Sequence, residues 1–143
     1  MPILDQELRL LEIRQGVKLP PVIKNITQKD INLYAEASGD FNPIHIDEAF
    51  AAKTPLGGTI AHGMLILAYV SETMTKAFGQ KWISTGKMAI RFKAPARPKD
   101  IITISGIINS IEHRGDTSYA ACNVEALNQN GEIVVTGETM VKL

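Results

Sequence analysis

The sequence predicts an α+β fold in which an antiparallel β-sheet wraps around one long central helix. Three observations carry this expectation. Residues 61–78 are apolar on nearly every side of a helix, and such a helix belongs in an interior. Beyond Gly79 the pattern changes to period two, with Met88, Ile90 and Phe92 alternating against Lys87, Arg91 and Lys93, which is the repeat of a half-buried strand. β-rich segments then follow at 100–112, 117–127 and 132–142, separated by Gly115-Asp116 and Asn130-Gly131, dipeptides suited to hairpin turns.

The remaining elements are placed in chain order. Residues 3–15 mix Leu and Ile with acidic and basic residues and read as a short helix or an arm. Residues 17–26 form a first strand, and Pro20 and Pro21 argue for a sheet edge. Thr27 suits a helix N-cap, with Asp30 three residues on, close to a capping box. Ile31, Tyr34, Ala35 and Ser38 follow at helical spacing, and Gly39 stops that helix. Residues 47–53 suit a short helix, and 54–59 a loop. In the main helix, Ile60, Met64, Leu67, Ala68, Ser71, Met74 and Phe78 share one stripe, and Leu65, Ile66, Tyr69 and Val70 fill much of the rest. The simplest packing curves the sheet around this helix, the hot-dog arrangement. It leaves a sheet edge and an apolar flank to cover, and pairing of two copies covers both. A homodimer or higher homo-oligomer is therefore expected.

With 143 residues the chain is expected to be a single domain, 1–143. Apolar residues at 45% and charged residues at 21% are ordinary for a soluble globular protein. A formal net charge of zero supplies no electrostatic footprint for nucleic acid or an anionic membrane. The longest charge-free apolar run, residues 63–70, is too short to span a bilayer. The single cysteine, Cys122, has no internal disulfide partner, reads as a small core residue, and suits a reducing cytoplasm.

Residues 38–64 carry the chemistry. Asp40 and His45 flank Pro43, and a bare Ala61-His62-Gly63 opens the apolar helix. In a regular helix, positions five apart point about 140° away from each other. Pro43 disfavours the helical region for Asn42, and Gly39 allows positive φ, so residues 39–44 are expected to form a tight turn in which Asp40 and His45 converge. An ordinary helix-stop loop with two solvated side chains is the competing reading. A carboxylate and an imidazole held together can move protons, and the Gly63 N–H, at a helix start where amides lack internal partners, can hold a developing oxyanion.

The segment Tyr34-Ala-Glu-Ala-Ser-Gly-Asp-Phe-Asn-Pro-Ile-His45, followed by Ala51, resembles the hydratase signature of the MaoC-like, (R)-specific enoyl-CoA hydratases. Ala37 is a mild departure from it. Ala61-His-Gly-Met-Leu65 and Gly137-Glu-Thr-Met-Val-Lys-Leu143 resemble the family's second block and last strand. The resemblance implies the hot-dog fold, dimeric assembly, and addition of water to a trans-2-enoyl thioester to give the (3R)-hydroxyacyl thioester, with the reverse dehydration. It implies Asp40 and His45 as the catalytic pair holding one water, Gly63 as oxyanion donor and Ser71 in a supporting role that steers the carboxylate or the water, a Ser bonded to its own helix being the plain alternative. Asn42 and Met64 are expected at the substrate. Coenzyme A or an acyl carrier protein enters as part of the substrate, and no cofactor is expected.

The same residues admit other readings. Asp40, His45, Asp47 and His62 supply metal-ligand types, but no His pair has the spacing that sets two ligands on one helix face, and no metal is expected. His62 is expected to pack or cap locally, and His113 to sit in a solvated hairpin tip. Arg91, Lys93, Arg97 and Lys99 could meet phosphates of coenzyme A or an acidic carrier, although a solvated strand face is the simpler reading. The alternatives in function are a 3-hydroxyacyl-[acyl-carrier-protein] dehydratase, a hot-dog thioesterase, against which the Gly-Asp-x-Asn-Pro-x-His turn argues, and a non-catalytic acyl-binding subunit.

Overall fold

The computed structural model of the chain describes Leu8 and residues 12–143. The element order is β1 (Val22–Asn25), α1 (Gln28–Ser38), α2 (Pro43–Ile46), α3 (Glu48–Ala52), α4 (Gly63–Phe78), α5 (Gln80–Thr85), β2 (Lys87–Phe92), β3 (Ile101–Arg114), β4 (Thr117–Leu127) and β5 (Ile133–Lys142). The five strands form one antiparallel sheet in the order β1-β3-β4-β5-β2. Most of the expected 3–15 helix or arm lies outside the described residues. Leu8 docks on the main helix by donating its N–H to the Ala77 carbonyl at 2.9 Å.

The sheet holds the expected hairpins. β3 and β4 pair from Thr103 opposite Leu127 to Arg114 opposite Thr117, and a bulge at Ile108/Ser110 bends the ladder. Ile102, Ile104 and Ile108 of β3 face inward with Ala120, Cys122, Val124 and Ala126 of β4 and Val135 and Val141 of β5. They pack on Leu65, Ile66, Val70, Met74, Ala77 and Phe78 of α4 in one continuous core. β1 is an edge, as Pro20 and Pro21 just before it lead one to expect. It is shorter than expected, because the Pro20-Pro21 pair leaves Lys18 joined to Ile107 by only an isolated bridge.

Two expectations need correction. Residues 80–85 form a further short helix, α5, between Gly79 and Gly86. The main helix is also not buried on every side. Only the face of Leu65, Ile66, Val70, Thr73, Met74, Ala77 and Phe78 is covered, while Met64 is 53% exposed and Ala68 is exposed as well. The stripe through Met64, Leu67, Ala68 and Ser71 thus looks out from the single chain, because one sheet curving around a helix covers one side of it.

Candidate active site

Local hydrogen bonds shape the segment between α1 and α2. Thr27 Oγ1 accepts the Asp30 N–H to start α1. Gly39, at φ +75°, ends it and returns its N–H to Ala35, a left-handed position that glycine adopts without a Cβ penalty. Asp40 Oδ1 accepts the Asn42 N–H, and Asn42 Oδ1 accepts the Ile44 N–H, both at 3.2 Å. Asn42 is thereby the N-cap of α2, with Pro43 at its first position, where the fixed φ of proline favours helix. The expected tight turn over 39–44 is therefore a loop followed by one helical turn. His45 sits within that turn, buried.

The turn brings the two side chains together. Asp40 Oδ2 lies 3.9 Å from His45 Nε2, with the carboxylate half-exposed and the imidazole 10% exposed. His45 Nδ1 is 2.8 Å from the Ile60 carbonyl oxygen. A carbonyl only accepts, so Nδ1 carries the proton, and in the neutral ring Nε2 presents a bare lone pair towards Asp40. His62 stacks on His45 with centroids 3.9 Å apart and planes 26° apart. The His62 Nε2–H donates to the Asp40 carbonyl at 2.9 Å, and Tyr34 tilts against the same ring at 4.8 Å. His62 Nδ1 is buried and finds no partner among the described residues, while the Asp40 carbonyl, which only accepts, places a proton on Nε2.

His62 also immediately precedes α4, so the same ring ties the helix start to the pair. Among the described residues no acceptor receives the N–H of Gly63. Phe92 closes over this position: a Cβ on Gly63 would come within 3.0 Å of its ring. Met64 follows on the exposed side. Ser71 is not brought to the pair. It lies eight residues beyond Gly63, about 12 Å along the helix axis, and its Oγ accepts the Trp82 indole N–H at 3.0 Å. No hydrogen bond joins Ser71 to Asp40 in the single chain; the serine instead accepts from α5.

Asp40, His45 and His62 each offer a possible metal-ligand atom, all within 4.8 Å of one another. The ring geometry does not suit an ion. Imidazole lone pairs lie in the ring plane, and two near-parallel rings stacked 3.9 Å apart do not converge on one point at the ~2.0–2.1 Å that metal–nitrogen bonds require.

Elsewhere, a groove of about 1010 Å³ crosses the sheet beside Lys18, Arg91, Glu125 and Glu138, away from the pair. His113 is exposed at the β3–β4 hairpin and bonds Ser118. Cys122 is a buried core residue, its thiol pushed up to about 11 by desolvation and lowered slightly by a hydrogen bond with Thr139. Arg91, Lys93 and Lys99 are exposed and Arg97 half-buried.

Several parts of the site lie outside the motif residues. The Ile60 carbonyl orients His45, and Phe92 arrives from β2. Gln28, Glu48 and Thr59 brace the loop before Ile60 from two helices. The sequence carried no signal for them, because the burial of Thr59 and its pairing with Gln28 arise only when the helices pack.

A hot-dog sheet carrying a carboxylate–imidazole pair beside an open helix N-terminus defines a class of acyl-processing folds, and comparison with known proteins places the chain within it. Residues 12–130 match the model of the MaoC-like domain, and the chain belongs to that family. It is 32% identical over 133 residues to an (R)-specific enoyl-CoA hydratase of Aeromonas caviae, covering 93% of this chain and 96% of that protein. It is also 32% identical over 142 residues to a 3-hydroxybutyryl-CoA dehydratase of Methylorubrum extorquens, covering 96% and 87%. The solved structure of an unliganded R-hydratase from Pseudomonas aeruginosa superposes with a TM-score of 0.80 at 28% identity, covering 93% of this chain and 86% of that one.

Proposed function

We propose that the protein is an (R)-specific enoyl-CoA hydratase, adding water reversibly to a trans-2-enoyl-CoA to give the (3R)-3-hydroxyacyl-CoA. The 3.9 Å separation of Asp40 Oδ2 and His45 Nε2 is the observation that carries this reading. Both atoms reach one water oxygen at about 2.8 Å each, so a single water bridges base and acid. The relatives' names support the substrate class.

His45 Nε2 takes a proton from the bridging water as the water oxygen bonds to C3. The C2–C3 π pair moves through the thioester, leaving negative charge on its carbonyl oxygen. The Gly63 N–H holds that charge. The new C3 hydroxyl stands where the water stood, between the two groups, so the proton passes from His45 through that hydroxyl to Asp40 and from Asp40 to C2, which restores the carbonyl and leaves the pair as it began. A positioned acid or base contributes about 10²–10⁴-fold, and one oxyanion donor about 10²–10³-fold. Asn42 holds the turn and Met64 lines the substrate approach. No step needs a cofactor, and Ser71 acts through α4 and Trp82 rather than at the reacting atoms.

The half-exposed carboxylate, the open stripe on α4 and the free edge of β2 support a homodimer that covers the site. A cytoplasmic location fits the unpaired Cys122. No helix among the described residues is long and apolar enough to cross a membrane. Loss of enoyl absorbance with crotonyl-CoA and longer enoyl-CoAs, without release of free thiol, tests the reaction. Thiol release without enoyl loss would instead make the protein a thioesterase. Faster turnover of carrier-protein thioesters than of CoA thioesters would make it a carrier-protein dehydratase.

A further inference from the structure

The bond from His45 Nδ1 to the Ile60 carbonyl decides which ring nitrogen is basic, so whatever fixes that carbonyl controls the base. Thr59, one residue before, is 2% exposed. Its N–H donates to Glu48 Oε2 at 3.1 Å, and its Oγ1 lies 2.7 Å from Gln28 Oε1 and 3.0 Å from Glu48 Oε2. The other end of the Gln28 amide reaches the site directly: Nε2 donates to the His45 carbonyl at 2.8 Å and to Asn32 Oδ1 at 2.9 Å. Both of those partners only accept, which fixes the amide orientation and leaves Oε1 to receive the threonine proton. The Ile60 N–H returns to Ile44 at 3.1 Å.

Gln28 therefore touches both sides of the Nδ1 contact. One end holds the backbone of the residue bearing the imidazole, and the other holds the residue preceding the carbonyl that the imidazole bonds. Glu48 fixes the same loop from α3. These groups touch neither the pair's reacting atoms nor the helix start. A buried hydroxyl with two acceptors, a carboxylate and a carboxamide is more polar chemistry than a loop anchor needs, since each buried polar group must be satisfied.

We propose that Gln28 and Thr59, braced by Glu48, are positioning residues that lock His45 in the tautomer with Nδ1 protonated and Nε2 free. The inference rests on His45 being the base of the proposed reaction. Each member acts by geometry: a displaced Ile60 carbonyl frees the ring to rotate or to share its proton between the two nitrogens. Mispositioning of about 1 Å can cost a hundredfold in rate.

The test uses Gln28→Ala, Thr59→Val and Thr59→Ser in the full chain. It combines crotonyl-CoA kinetics, the thermal midpoint and ¹⁵N shifts of the His45 ring. Gln28→Ala and Thr59→Val are expected to lower kcat about tenfold or more with KM little changed, and to move the ring from one tautomer to a mixture. Thr59→Ser, which keeps the hydroxyl, is expected to retain wild-type rate and tautomer. Unchanged kcat in the first two variants, a loss with an unshifted tautomer, or a loss that only follows the thermal midpoint would overturn the proposal. A wild-type protein with no hydration activity would instead remove the reaction, and the ¹⁵N measurement would still report whether the network sets the tautomer.

Discussion

His62 lies face to face with His45, its ring centroid 3.9 Å away, while its own Nε2–H holds the carbonyl of Asp40. One buried ring thus touches both members of the pair, through stacking on one and a hydrogen bond to the backbone of the other. His62→Phe separates the two contacts, since phenylalanine keeps the stack and lacks the donor. The variant should fold with a stability loss of about 0.5–1.5 kcal/mol, the net worth of one hydrogen bond to an exposed residue. Its turnover should fall about tenfold as Asp40 drifts from the water position. Denaturant unfolding and steady-state kinetics check both halves, and unchanged turnover would leave His62 a packing residue.

Gly63 has two reasons to remain glycine. A Cβ would press on the Phe92 ring at 3.0 Å, and any side chain would crowd the amide proposed to receive the oxyanion. Gly63→Val should lower kcat by about 10²–10³-fold, as removal of an oxyanion donor does. Adding Phe92→Ala relieves the contact with the ring but not the crowding at the amide. Recovery of full activity in the double variant would assign the effect to Phe92 alone.

Gly137 pairs with Ile90 in the β2–β5 ladder, and a Cβ there would meet the Ala89 carbonyl oxygen at 2.6 Å. Backbone cannot yield as a flexible side chain does. Gly137→Ala should push β2 outward and lower stability by about 1–3 kcal/mol, the usual cost of overpacking. Because β2 carries Phe92 to the helix start, activity should fall with it. A thermal midpoint equal to wild type would contradict this placement of β2.

Cys122 gives a pH signature. Burial raises its folded pKa to about 11, from the ordinary thiol value near 9.0. Below about pH 9 the thiol is protonated in both states and contributes no slope. Above it the unfolded thiol ionises first, so stability is lost as pH rises from about 9 to about 11, by up to ~1.4 kcal/mol per pH unit. Cys122→Ala should lower overall stability by leaving a small cavity, yet flatten the alkaline slope. Unfolding free energies from pH 8 to 11 for both proteins check this, and equal slopes would refute it.

Strands β3 to β5 were readable because long period-two runs between Gly- and Asn-based turns admit few other structures. α5 was not, since Gln80–Thr85 is too short to show a helical period between its two glycines. The open stripe on α4 was hidden for a different reason: an apolar helix has the same sequence whether its cover is its own sheet or another surface. At the site, Asp40, Asn42 and His45 were legible because their contacts are local and follow from side-chain type. The Ile60 carbonyl and the Gln28–Thr59 bond span 15 and 31 residues. A backbone oxygen leaves no mark in residue identity, and one pairing among many polar residues is decided only when the helices pack. Ser71 shows the converse, a motif position whose partner, Trp82, comes from the helix that the pattern missed.

The most direct measurement is hydration of crotonyl-CoA by the wild-type chain and by Asp40→Asn and His45→Gln, with product chirality and circular dichroism recorded alongside. A bridging water shared by this pair predicts (3R)-3-hydroxybutyryl-CoA from the wild type and losses of about 10²–10⁴-fold in each variant with the fold intact. Near-full activity in either folded variant, or a (3S) product, would contradict it.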